Sequence, residues 1–150
     1  IMSRGLGDVY KRQLVRRLIM RFLALAAALC FANAAYAEKD PHADYLLYCR
    51  GCLLHTGDAV PAANVPSLHE LVPLLATQAG RDYLVRVPGV AQTPMSDEQI
   101  AEVLNWVLRN FNADSLPNNF RPFTADEVAT ARSKILPNPL KAREEILGGS

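Results

Sequence analysis

The chain has 150 residues, 50% of them hydrophobic and 21% charged, with a formal net charge of +1. That length holds one small domain, and the near-neutral balance excludes a strongly basic nucleic-acid or anionic-membrane binder. The charge is also uneven along the chain, and the basic excess sits at the start.

Ser3-Arg4-Gly5-Leu6-Gly7-Asp8-Val9-Tyr10-Lys11-Arg12-Gln13 resembles the translation of a transposase sequencing adapter, so residues 1–19 are set aside as a non-native leader. Met20 and Arg21 precede an apolar run of about eleven residues, residues 22–32, and a small-x-small end at Ala35-Tyr36-Ala37. That is the order of a secretory signal peptide over residues 20–37, with cleavage after Ala37. The run is too short to span a bilayer, which takes about 20 apolar residues. Leu29 before Cys30 argues against a lipoprotein signal. An exported chain starting at Glu38 carries ten Lys and Arg against fourteen Asp and Glu, a net charge of −4.

From there the pattern is helical. Asp40-Pro41 reads as an N-cap followed by proline at the first helical position, with Tyr45, Leu46, Tyr48 and Cys49 as the apolar side and Gly51 loosening the end. Residues 56–66 hold glycine and proline in an irregular loop. Ser67 and Glu70 suggest a capping box for a short helix through Leu71, Leu74 and Leu75, which Gly80 should break. Residues 81–87 form a short amphipathic piece ended by Pro88-Gly89, and residues 90–95 a second irregular stretch. Ser96 with Gln99 caps the clearest helix, whose stripe is Ile100, Val103, Leu104, Val107, Leu108 and Phe111, with Trp106 beside it. Residues 112–122 read as a linker, Thr124 with Glu127 as the cap of a helix to about Leu136, and residues 140–147 as a last turn or two. No segment alternates with period two, so the fold class is all-α.

One stretch carries chemistry: Tyr48-Cys49-Arg50-Gly51-Cys52-Leu53-Leu54-His55. Two cysteines two residues apart with a histidine close behind is the spacing of covalent c-type haem attachment, in which the sulfurs bond the haem vinyl groups and the imidazole becomes an axial iron ligand. The ligand normally follows the second cysteine directly. Leu53 stands there, and His55 comes two residues late. At about 100° per helical residue the two positions differ by roughly 200°. His55 therefore ligates only if Leu53-Leu54 bulges out. A sequence error or a recently lost ligand is the competing explanation, since one base change turns a His codon into a Leu codon. Three other chemistries stay open: a Cys49/Cys52 thiol–disulfide pair, a zinc module drawing on His69 or His42, and a haemless relic of the fold.

Val65-Pro66-Ser67-Leu68, Tyr83-Leu84-Val85-Arg86-Val87-Pro88-Gly89-Val90-Ala91-Gln92 and Leu104-Asn105-Trp106-Val107-Leu108 resemble small exported class I c-type cytochromes, over residues 45–132. The resemblance implies a cytochrome c-like domain at 38–112 with a C-terminal helical extension at 113–150. It implies one haem c, with iron, on Cys49 and Cys52, His55 as the provisional proximal ligand and Met95 as the provisional distal one. The implied role is single-electron transfer in the periplasm between redox partner proteins, such as an exported dehydrogenase and a terminal oxidase, without nucleic acid or stable membrane insertion. The two irregular stretches should then bound a cleft lined by the cysteines and Met95. Tyr45 and Trp106 read as core, His42 and His69 as surface residues, and Arg86 as an exposed arginine or a propionate partner.

Overall fold

The computed structural model describes residues 13, 16–17, 19–22, 40–63 and 65–148. The expected leader and signal segment, with the expected cleavage after Ala37, lie largely outside them. Residues 1–38 and 39–150 separate into two compact units. In the first, the described residues between Gln13 and Phe22 are helical and exposed. Among the described residues no helix is long and apolar enough to cross a membrane.

The second unit is all helical, joined by loops. Helix α1 spans Pro41–Tyr48, and the Asp40 side chain accepts from the His42 amide as expected of an N-cap. A 3-10 helix, Val72–Ala76, leads into α2, Gln78–Arg86, and then into the single turn α3, Pro88–Ala91. Helix α4, Asp97–Phe111, is the longest, followed by α5, Ala125–Arg132, and α6, Pro139–Gly148. No strand forms among the described residues; the nearest thing is an isolated bridge between Leu53 and Ala59.

Helix α4 forms as its pattern dictates. Ser96 and Gln99 close both halves of the capping box, and Ile100, Val103, Leu104, Val107 and Leu108 are all buried. This stripe packs on Tyr45, Leu74, Tyr83, Val85 and Met95 in one hydrophobic cluster.

Two expectations near Gly80 are corrected. Ser67 and Glu70 make no capping box; Ser67 Oγ instead accepts from the His69 amide, and the segment tightens into 3-10 geometry. Gly80 does not break a helix but lies inside α2, whose cap is Thr77, accepting from the Gly80 amide at 3.1 Å. A Cβ at Gly80 would lie 2.0 Å from the Leu74 carbonyl oxygen, so glycine is there for close approach of backbone to backbone.

The segment after Asn112 is built into the same core. Phe123, Val128 and Ala131 are buried members of the cluster. Arg81 of α2, itself 5% exposed, fixes the segment. Its Nε and Nη2 donate to both Glu127 oxygens at 2.6 and 2.7 Å, while Nη1 and Nη2 reach the carbonyls of Arg121 and Pro122. The Phe123 ring lies 4.0 Å beneath the guanidinium. Asn105 of α4 adds two more bonds, accepting from the Phe123 amide and donating to its carbonyl.

Hydrogen bonding from Arg81, opposed by burial and assisted by the arginine charge, holds the Glu127 carboxyl below its usual range. A depressed carboxylate pKa stabilises the fold fully at neutral pH, and that contribution is lost as pH falls through the carboxylate range. Glu127→Gln leaves Arg81 buried without its counter-charge and is expected to cost about 3 kcal/mol. Urea midpoints at neutral pH measure this cost. The gap between wild type and variant should close towards acid, where wild-type Glu127 is itself protonated.

Candidate functional site

The cysteines come where α1 ends. Cys49 is the C-cap, its amide bonded to the Tyr45 carbonyl, and the chain then turns back on itself. Val60 N–H donates to the Cys52 carbonyl at 3.1 Å, Leu54 N–H to the Asp58 carbonyl at 2.8 Å and Gly57 N–H to the Leu54 carbonyl at 3.0 Å. This tight turn is fastened to the core from two sides. The buried Tyr45 hydroxyl donates to the Leu54 carbonyl at 2.6 Å, and burial pushes the phenol pKa up, keeping it a donor. Gly57 has φ of +87°, and a Cβ there would meet the Phe111 ring at 2.9 Å. Both conditions require glycine.

Around the turn lies a ring cluster. Trp106 stacks on His42 at 5.0 Å and contacts Tyr45 and Phe111, while His69 meets Phe111 edge-on. His69 is exposed, as expected, and ties the turn to the end of α4: Nδ1 lies 3.2 Å from the Phe111 carbonyl and Nε2 3.3 Å from Asp58. Asn112 was not singled out in the sequence. It is 3% exposed, accepts from the Leu71 amide and donates to the Leu68 carbonyl. An asparagine in an expected linker gives no hint of this; only its position just past a long helix does.

The predicted site residues separate into two groups. Cys49, Leu53 and Met95 share the hydrophobic cluster, with Met95 only 4% exposed. Cys52 is exposed, and the two cysteines are not bonded to each other. His55 sits exposed in the turn and is not brought to that cluster. The thiol pair fits covalent attachment of a haem, one thiol exposed and one half-buried at a helix end. The iron-ligand position does not fit, because Leu53 has no donor and packs on the core. A cavity of about 330 Å³ lies between the 3-10 helix, the start of α2 and residues 117–121, with Gln78, Arg81 and Arg121 among its walls. Arg86 donates from Nε and Nη2 to the carbonyls of Lys134 and Ile135. Among the described residues no three His, Cys, Asp or Glu side chains gather in a group that could hold a metal ion.

The chain is similar to a cytochrome c-552 of Thermus thermophilus, 31% identical over 153 aligned residues that cover 89% of this chain and 99% of the relative. It is also similar to a second cytochrome c-552 of Thermus thermophilus, 31% identical over 119 residues covering 67% of this chain and 91% of the relative. No family model matches the chain.

The two thiols are chemically unequal. Burial first, then the Asp44 carboxylate and Cys52, push the Cys49 thiol up to about 11. A shift of that size leaves on the order of a hundredfold less reactive thiolate than an unperturbed cysteine has. In the haem-free protein, iodoacetamide at neutral pH should therefore modify Cys52 well before Cys49. Peptide mass spectrometry over a time course checks this, and equal rates would count against the buried setting of Cys49.

Proposed function

We infer the function from one premise: the chain belongs to the c-type cytochromes, and we read it as a carrier of electrons that does no bond chemistry itself. The finer reading is a class I protein with a single haem, held through thioethers at Cys49 and Cys52. The observation that carries it is the cysteine pair, presented at the end of α1 beside a core that contains a buried methionine. A bound haem supplies an iron that gains and loses one electron, at a potential set by its ligands and burial.

The chain's own residues have separate parts in this reading. Cys49 and Cys52 hold the group, and Tyr45 holds the turn through Leu54. Met95 offers a thioether as the distal donor, kept dry in the core. His55 is the provisional proximal donor, and to ligate it needs the Leu53–Ala59 bridge to open so that residues 53–54 bulge. Its ring makes no side-chain bond among the described residues, so nothing but the turn itself has to be broken.

Export after Ala37 would place the protein in the periplasm, where an exported dehydrogenase and a terminal oxidase are the redox partners of matching kind. The acidic balance of −4 for residues 38–150 favours partners with a basic docking patch.

A second reading has its own observation. Leu53 fills the donor position with an apolar side chain packed against the core, which favours a haemless protein that keeps the cytochrome fold. A thiol–disulfide role is weaker. Such pairs work with a lowered thiol pKa at a helix start, whereas Cys49 is at a helix end with its pKa raised.

The test is the absorption spectrum of the protein produced with cytochrome c maturation factors, beside its Leu53→His variant. The proposed function expects haem absorbance in both, surviving acid-acetone extraction. Haem in the variant alone would mean the motif is broken as it stands, and haem in neither would favour the haemless reading.

A further inference from the structure

Arg132, the last residue of α5, reaches across to residues 91–97. Its Nε donates to the Ala91 carbonyl at 2.8 Å and its Nη1 to the Met95 carbonyl at 2.9 Å. Nη1 also meets Asp97 Oδ1 at 3.2 Å, and Nη2 donates to the Thr93 carbonyl. One guanidinium therefore holds alternate carbonyls on both sides of Pro94 and the carboxylate that opens α4. Arginine suits this because its donors are fixed in one plane, so they set the spacing of the acceptors.

The segment so held has one inward residue. Pro94 and Ser96 are exposed, while Met95 between them is buried in the core cluster. The loop is short of regular structure: α3 ends at Ala91 and α4 begins at Asp97. What fixes its shape at residues 93 and 95 is a side chain from an element 37 residues on, which belongs to the C-terminal segment.

We propose that Arg132 is the positioning residue of the Met95 loop, and that through it the C-terminal segment decides whether the Met95 side chain stays in the hydrophobic core. The proposal rests on the reading of Met95 as the distal donor. Loss of the guanidinium frees three carbonyls that water can then reach, so the loop opens locally and takes the thioether with it. Core packing alone would hold Met95 equally well in the absence of Arg132, and the two accounts differ in what a substitution does.

The test is methionine oxidation by dilute hydrogen peroxide in the full haem-free chain, followed by peptide mass spectrometry, with far-UV circular dichroism of the same samples. Arg132→Gln should oxidise Met95 about tenfold faster than wild type, the factor expected when a local opening loses the equivalent of one or two hydrogen bonds. Arg132→Lys, which keeps the charge and fewer donors, should lie between them. Helix content should match wild type in both. An unchanged Met95 rate in Arg132→Gln would overturn the proposal, and so would collapse of the helices in both variants, because Arg132 would then hold the fold and not the loop. The ligand reading is judged separately, in the haem-loaded Leu53→His chain. There Met95→Leu should abolish the long-wavelength sulfur-to-iron charge-transfer band and Arg132→Gln should weaken it. A band untouched by Met95→Leu would remove Met95 as the donor, and with it the role of the loop in presenting one, whatever the oxidation rates show.

Discussion

Loops in a protein without a sheet leave carbonyl oxygens that need donors, and this constraint organises the second unit. The helices are short, so a large share of the backbone lies at helix ends or between helices, where the internal ladder supplies no partner. The answer is a set of side chains that reach from helices onto loops. Arg81 takes the carbonyls of Arg121 and Pro122, Arg86 those of Lys134 and Ile135, and Arg132 those of Ala91, Thr93 and Met95. Asn105, Asn112 and Tyr45 do the same for Phe123, Leu68 and Leu54. Among the described residues no buried side-chain nitrogen or oxygen is left without a partner. A small core gains definition from such bonds, because each lost partner would expose an unsatisfied group.

The same pattern explains why residues 113–148 behave as part of the domain. Three of the arginines tie that segment to helices or loops before it, while Phe123, Val128 and Ala131 supply apolar surface to the cluster. Arg81 also places a buried charge in that interface, which is tolerable only because Glu127 answers it in a two-point bond. Charge pairing and burial depend on each other here. Both side chains are little exposed, and the Phe123 ring under the guanidinium helps to keep Arg81 so.

Much of the helical frame was legible. Asp40-Pro41, Ser96 with Gln99 and Thr124 each carry a local cap signal, and the stripe of α4 has a period that no other structure uses. What was not legible depended on distant partners. Gly80 looks like a breaker until Leu74 is placed against it, and Arg86 looks like a free surface cation until residues 134–135 fold back over it. The site was half legible. The two cysteines are a spacing, and spacing is local. The fate of Leu53 and His55 is set by a turn whose anchors, Tyr45 and Phe111, lie outside the motif.

That turn bears on what Leu53 means. A histidine at position 53 in a haem protein is held by its bond to iron, and without the group it would set an imidazole against an apolar core with no partner. A leucine in the same place needs no partner and gains about 1.5–3 kcal/mol if fully buried, less here because it is only half-buried. Leucine at this position therefore suits the core it packs on and offers no donor there. Tyr45 and Gly57 keep the turn in shape in either case, since neither bond involves the ligand position. The contacts that shape the turn are thus separate from position 53, so the helical frame is built without drawing on the residue that stands there.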